Sequence, residues 1–411
     1  MPVRVSFLAR YAALPSLAGT SFIPIAFVAR LPLAMLTVGT LTAVAVASGS
    51  YALGGLAAGA VGLGAALGAP LLGGLADRHG QRHVVLAAGL LNAAGMLAVV
   101  LASYPPPLAG ETPPWAVVAA SFAAGLTTPQ VGPLARARWM ALTAGRARRA
   151  LELDAALSYE GTADEVTFVL GPALVGALAA LLGPGVPLGV AAALTAVFVG
   201  AFALHPTAVA AHPAGRDPHA RVPARAWLIV LVPVAAMTAM GTFFGAMQAA
   251  VTAFAGERGA AEVGGLLYAA VGATSAVTAL SVAAWSPRIA LPVRWAACAA
   301  AMVLAALLPL AADSFESLTA ALLVLGLPVG PIMVTVYAVG GRVAPDGRAG
   351  TVMTALASGL VAGTALGSGL AGALAESGGV AAAFGAPLGA AAGLLVLGAV
   401  AAAAGWGNHV D

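Results

Sequence analysis

The chain has 411 residues, of which 61% are hydrophobic and only 8% charged. Soluble proteins are about half apolar and about a quarter charged, so no water-soluble fold is compatible with this composition, and at roughly 20 residues per spanning helix twelve helices consume nearly all the apolar residues. All 18 basic residues are arginine and the net charge is only +3, which excludes a lysine-dependent P-loop ATPase or Schiff-base chemistry and gives no concentrated face for nucleic acid.

Apolar runs separated by short polar or Pro/Gly breaks predict twelve spans, at 24–48, 51–75, 84–103, 115–138, 153–182, 186–204, 226–252, 262–284, 295–312, 318–340, 350–374 and 380–404. The first reads as a retained span rather than a signal peptide. It holds Arg30, the only arginine predicted away from the end of a span, beside Pro32, which weakens the helix and frees carbonyls. Spans 2 and 3 are joined by Gly73-Gly74-Leu75-Ala76-Asp77-Arg78-His79-Gly80-Gln81-Arg82. There Gly73 and Gly80 permit a tight turn, and Asp77 can accept hydrogen bonds from a neighbouring helix N-terminus. Arg136 and Arg138 end span 4.

Span 5 contains Glu160, Asp164 and Glu165. Glu160 and Asp164 are four apart and share a helical face, with Glu165 turned roughly a quarter-turn away. An intramembrane acid costs about 2.5–3.5 kcal/mol on the insertion scale. Three acids so close together must face a wet cavity, pair with a cation or be protonated. Two roles follow: a fixed pair between Arg30 and Glu160 or Asp164, or a proton site at one of the acids. Protonation that breaks the pair would unite them. The single cysteine, Cys298, lies in an apolar run, so disulfides and cysteine-built metal sites are excluded within the chain.

Arginine placement orients the spans. Arg78, Arg82, Arg136, Arg138, Arg146, Arg148, Arg149, Arg216, Arg221, Arg225, Arg288, Arg294, Arg342 and Arg348 fall on alternate loops of one face, joined by Arg4 and Arg10. The opposite loops hold only Arg258, alongside Glu111, Glu257, Glu262, Asp313, Glu316 and Glu376. The positive-inside rule then predicts cytoplasmic termini. On the arginine-rich face, 205–225 reads as a Pro/Gly/Ala linker between an N-terminal half, 1–204, and a C-terminal half, 226–411. Its His205, His212 and His219 read as a solvated loop rather than a metal site. The halves echo each other. VLGPALVGALA at 169–179 matches TALGSGLAGALA ending at Ala375, and GLTTPQVGP at 125–133 matches GLPVGP at 326–331. Span 5 thus corresponds to span 11, which has Leu356, Leu360 and Val361 where span 5 has its acids. Packing alone does not require acids there. A parallel repeat of six spans is one architecture of secondary transporters.

The loop at 73–82 closely resembles the signature of the major facilitator superfamily, G-x-L-A-D-R-x-G-R-[RK], with Gln81 replacing the first of the final basic pair. The equivalent loop of the second half, WSPRIALPVR at 285–294, is degenerate. The resemblance implies an all-α polytopic membrane protein of twelve helices in two six-helix bundles, rocking around a central site. Gly73, Asp77, Arg78, Gly80 and Arg82 would form the conformational switch loop. Gly171-Pro172 with Gly176 partly resembles the G-x-x-x-G-P-x-x-G-G antiporter motif of drug-efflux members, with Thr167 at its first glycine. Met237, Met240, Phe244 and Gln248 form a stripe in span 7, a cavity-lining position in the family; ordinary packing is the alternative. Arg136 and Arg138 lie where members often carry a functional arginine, or they anchor at the interface. Gly55, Gly59, Gly64 and Gly68 of span 2 and Gly359, Gly363 and Gly367 of span 11 offer small faces for close approach. In the family those two spans face each other across the halves.

These readings predict a non-enzymatic secondary transporter, a proton-coupled exporter of small amphipathic or hydrophobic compounds by antiport. The alternative is an importer or uniporter of a polar nutrient such as a sugar or organic acid. Glu160, Asp164 or Glu165 would carry the proton, with Arg30 as charge partner. The expected partners are a small-molecule substrate, protons and the lipid bilayer, with no nucleic acid, cofactor or metal. The chain is expected to work as a monomer, multi-pass in the plasma membrane.

Overall fold

The computed structural model describes residues 11–105, 113–211, 222–260, 263–286 and 288–404, without the side chains of 51 and 52. Arg4, Arg10, Glu111, His212, Arg216, His219, Arg221 and Glu262 lie outside the described residues. Every regular element among the described residues is helical. Among the described residues, ten helices are long and apolar enough to cross a membrane. They are Phe22–Ser48 (span 1), Leu53–His79 (span 2), Gln81–Ser103 (span 3), Arg149–Leu182 (span 5), Val186–Leu204 (span 6), Ala224–Gly256 (span 7), Gly264–Ala284 (span 8), Leu291–Ala311 (span 9), Phe315–Val343 (span 10) and Ala349–Ala403.

The remaining two of the predicted twelve follow from local backbone chemistry. Span 4 is broken into Pro114–Leu126 and Val131–Thr143, because Pro129 cannot continue the helical ladder. Asn92 of span 3 donates 2.7 Å to the Ala124 carbonyl and 3.2 Å to Thr128 Oγ1 at this break. A neighbouring helix and Thr128 Oγ1, which donates 2.8 Å to the same carbonyl, thus satisfy a backbone group freed at the break. The run Ala349–Ala403 is two helices joined at Gly379, whose φ of 74° and ψ of −175° end one and start the next. They are spans 11 and 12. Span 1 is likewise interrupted, into Phe22–Val28 and Leu31–Ser48. Pro32 stands in the first turn of the second segment, and Arg30 Nη1 donates 2.6 Å back to the Ala26 carbonyl.

The repeat read from the sequence recurs in the packing. A Cβ on Gly171 of span 5 would stand 2.5 Å from Ala34 Cβ of span 1, and one on Gly367 of span 11 would stand 2.0 Å from the Thr242 carbonyl of span 7. Gly125 of span 4 meets the Val61 carbonyl of span 2 in this way at 2.1 Å, and Gly326 of span 10 meets that of Val271 of span 8 at 2.3 Å. Spans 1, 2, 4 and 5 therefore interlock as spans 7, 8, 10 and 11 do. The glycine rows differ from expectation. Gly359, Gly363 and Gly367 seat on span 7, while Gly64 and Gly68 seat on span 4. These rows serve close backbone approach within each bundle. The crossing of spans 2 and 11 uses Gly73 instead, where a Cβ would stand 2.0 Å from Thr354 Oγ1.

The core of the first six spans is divided. One cluster gathers Phe22, Trp139 and Phe202, and another Met35, Met96 and Leu188. Arg30 lies between Ala29 of the first and Leu31 of the second. A layer of charge separates the two.

Candidate functional site

That layer is built by spans 1, 4 and 5. The break in span 1 sets Arg30, only 3% exposed, against span 5, where its Nη2 pairs with Glu160 Oε2. Arg30 Nε donates 2.9 Å to Asp164 Oδ1. From the second segment of span 4, Arg136 Nη2 donates 2.8 Å to Asp164 Oδ2. Trp139 Nε1, one turn further along, donates 2.7 Å to Glu160 Oε1. Two guanidiniums and two carboxylates are thereby held together where isolated charges would be prohibitive. Glu160 is fully enclosed, whereas Asp164 keeps 17% of its side chain exposed. The Arg136 guanidinium stacks on Tyr337 of span 10, 3.9 Å from the ring centroid, and its buried Nε and Nη1 have no partner.

Asp164 and Arg30 face a cavity between spans 1, 2, 4, 5, 10 and 11. Leu33, Leu36, Val61, Ala65, Phe168, Leu360 and Val361 make most of its wall apolar. The broken turn of span 4 contributes Thr128, Pro129 and Gln130, and Thr37, Thr167, Tyr337 and Ser358 add hydroxyls. Gly132 lies on this wall, where a Cβ would stand 2.8 Å from Asp164 Oδ1 and 3.3 Å from Arg136 Nη1. Its missing side chain leaves the charged layer reachable from the cavity.

Glu165 stands apart from this cluster. Its Oε1 accepts a hydrogen bond of 2.5 Å from Ser275 Oγ of span 8.

Toward the arginine-rich end the two bundles are tied together. Asp77 receives the Gly350 N–H at 2.9 Å on Oδ1, and the Thr351 N–H and hydroxyl at 2.6 Å each on Oδ2. Span 11 begins at Ala349, so Asp77 caps its exposed N–H groups and meets the positive end of its dipole. Arg294 Nη1 reaches Asp154 Oδ2 at 3.3 Å, Tyr11 donates 2.6 Å to the Leu280 carbonyl, and Thr162 donates 3.0 Å to that of Ala276. Gly80, with φ 84°, makes the turn between spans 2 and 3. Arg78 and Arg82 are exposed.

Other expected site residues lie elsewhere. Met237 and Met240 are fully buried in the core of the last six spans, Phe244 packs against it, and Gln248 is exposed. None of the four lines this cavity, because Gly241 and Gly245 press span 7 onto span 11, where Cβ atoms would come within 1.9 Å of the Leu360 and Thr364 carbonyls. Arg138 is also not on the cavity wall, nor is it an interfacial anchor. It is buried, donating from Nε to Gln81 Oε1 (2.8 Å) and from Nη1 to the Phe202 carbonyl (2.8 Å) and Thr207 Oγ1 (3.0 Å), stacked on Phe202. Gln81, the departure from the loop signature, is the acceptor that this buried guanidinium requires. Gly171 seats span 5 on span 1, while Gly176 faces open space. Trp139, Tyr337 and Ser275 went unremarked in the sequence; a tryptophan adjoining Arg138 and a tyrosine in an apolar span were the available signals.

The profile of the Major Facilitator Superfamily matches residues 22–359. No curated protein matches the sequence. Among solved structures, the human organic anion transporter MFSD10 (TETRAN) is similar at 19% identity and a TM-score of 0.65, covering 97% of this chain and 100% of that one. A bacterial homologue of the iron transporter ferroportin, in an outward-facing state, aligns at 14% identity with a TM-score of 0.70, covering 93% and 99%. The E. coli fucose:proton symporter aligns at 14% identity with a TM-score of 0.63, covering 92% and 98%. At these identities the likeness is one of fold.

Proposed function

The chain belongs to the major facilitator superfamily, and on that footing we propose that it is a proton-coupled exporter of small amphipathic or hydrophobic compounds, working by antiport. One observation carries the reading: a cavity with mostly apolar walls opens onto the Arg30–Asp164 pair in mid-span, with Glu160 and Arg136 buried behind it. Apolar walls suit an amphipathic guest, and membrane-embedded acids are the usual seat of proton relays. The bundles are tied at the arginine-rich end, which the positive-inside rule makes cytoplasmic; this arrangement then corresponds to the outward-facing state. Asp77 serves as a latch on span 11, and Gly171 keeps span 5 close to span 1 beside Arg30. The chain acts as a monomer in the plasma membrane. Inside-out vesicles with an acid lumen test the reading, using ethidium as a lipophilic probe. Accumulation that collapses when the pH gradient is removed supports antiport, and flux indifferent to pH gradient and potential refutes coupling.

A second reading, uptake of an organic acid, draws on Arg136. Its unpartnered Nε and Nη1, behind Gly132 of the cavity wall and beside Asp164, suit a substrate carboxylate that enters past that glycine. An anion displacing Asp164 from both arginines favours protonation of that acid, so substrate and proton would travel together. Benzoate in the same vesicles discriminates: it would move with protons, whereas ethidium would move against them.

A further inference from the structure

The proposed function leaves the coupling proton shared among three acids, and their surroundings separate them. Glu160 and Asp164 are matched by Arg30 and Arg136, whereas no ion pair among the described residues reaches Glu165. Among the described residues its one side-chain hydrogen bond comes from Ser275 Oγ of span 8, and its Oε2 is shielded from solvent without a partner. The titratable groups facing it are Tyr268 of span 8 and Asp164 of its own span, and neither can neutralise a carboxylate. Glu165 also lies on a seam. Nearby, Thr162 bonds the Ala276 carbonyl and Gly161 sits where a Cβ would be 3.8 Å from Ala279 Cβ. Spans 5 and 8 thus meet from the two bundles at this point, as spans 2 and 11 do at Asp77.

We infer that Glu165 is the residue that carries the coupling proton, and that its protonation holds span 5 closed against span 8. An ionised carboxylate with one donor and no cation opposes closure of a dry seam. The neutral acid does not, and it can return a hydrogen bond to Ser275 Oγ. The proton enters by way of the cavity that Asp164 lines while the seam is closed. When the seam opens, water reaches Glu165 and the proton leaves toward the arginine-rich side; the ionised form closes again only with the exported compound bound. One proton binds and one is released per cycle, with no other bond made or broken, while Asp164 and Glu160 stay in their guanidinium grip. Span 11 has Val361 at the equivalent position, so the device exists once. The inference rests on the coupling part of the proposed function, in its antiport form.

The test uses full-length protein in nanodiscs without substrate. Spin labels at Ala150→Cys and Arg288→Cys, in a Cys298→Ala background, report the distance across the inner ends of spans 5 and 8. With Glu165 present the distance should lengthen as pH rises. Glu165→Gln should keep it short at every pH, and Glu165→Asp should retain a transition. Ser275→Ala, which removes the only donor to the ionised form, should shift the midpoint to higher pH and serves if the Gln variant does not fold. A Glu165→Gln protein that follows the wild-type pH profile overturns the inference and leaves coupling intact, as does an unmoved midpoint in Ser275→Ala. Wild-type ethidium and benzoate fluxes both indifferent to a pH gradient overturn the coupling reading itself.

Discussion

Asp77 and Thr351 stand on opposite bundles, and Oδ2 of the one receives both the backbone N–H and the hydroxyl of the other at 2.6 Å. The contact joins a carboxylate to the first turn of a helix, so hydrogen bonding and the helix dipole act in the same direction. Asp77→Asn preserves size while removing the charge and turning an amide N–H toward donors. The tied arrangement should lose about 1–3 kcal/mol, an opening of the arginine-rich end by about five- to 150-fold, since about 1.4 kcal/mol is a factor of ten. Distances between spin labels on the inner ends of spans 2 and 11 would report it. An unchanged distribution would contradict a latch at this position.

Arg30 and Glu160 form the most enclosed ion pair, at 3% and 0% exposure. Removing one partner strands the other, at about 3–5 kcal/mol. Glu160→Gln and Arg30→Gln should each express poorly and melt early in detergent. The double variant should recover much of the loss, because Asp164 keeps Arg136 as its partner and the two neutral amides strand no charge. Asp164 moderates the Glu160 variant, since it also engages Arg30. A double variant no more stable than the singles would show that the pair is not an energetic unit.

Helical spacing made part of this site legible. Glu160 and Asp164, four apart, do share the face that meets Arg30, and the turn from Gly73 to Arg82 does carry Asp77 to another helix. Spacing reports which residues share a face, but not which neighbour that face meets. Glu165 follows Asp164 in sequence yet points to span 8, and Arg138, two residues from Arg136, turns away to Gln81 and Phe202. The methionine stripe of span 7 was ambiguous for the same reason, because core and cavity residues obey one period. The break in span 4 was signalled by Pro129, but Asn92, which supports it, is 32 positions from Ala124. The link from Gly379 between spans 11 and 12 was expected only as a gap in the apolar pattern.

Two glycines of the antiporter-like motif should respond differently to the same change. A Cβ at Gly171 would stand 2.5 Å from Ala34 Cβ and 2.8 Å from its carbonyl carbon, while one at Gly176 meets nothing within 4 Å. Gly171→Ala must push span 5 away from span 1 and should destabilise by about 1–3 kcal/mol, with a lower melting temperature. Gly176→Ala should be neutral or stabilising by up to about 1 kcal/mol, through helix propensity. Equal effects at both positions would mean that this packing is not the tight one described.

His205, just beyond span 6, provides a pH signature outside the membrane-spanning segments. The Thr207 N–H donates to its Nδ1 at 3.3 Å, and Thr207 Oγ1, which already accepts from Arg138, lies 3.0 Å from the same nitrogen. Nδ1 is therefore an acceptor, which leaves the proton on Nε2 to reach Ser21 Oγ at 3.2 Å. Burial, and secondly the Arg138 charge, hold the imidazole below its ordinary value of 6.5. The unfolded chain thus takes up a proton first as pH falls. Stability from this group is complete above about pH 6.5 and is lost as pH drops through 6.5 toward the lower folded value, below which the loss is constant. Melting temperatures across about pH 5–8 should decline at the acid end in the wild type. His205→Asn cannot titrate and should flatten that decline, while leaving the response of spans 5 and 8 to pH in place. An acid-side slope equal in both proteins would show that the His205 proton is not linked to folding.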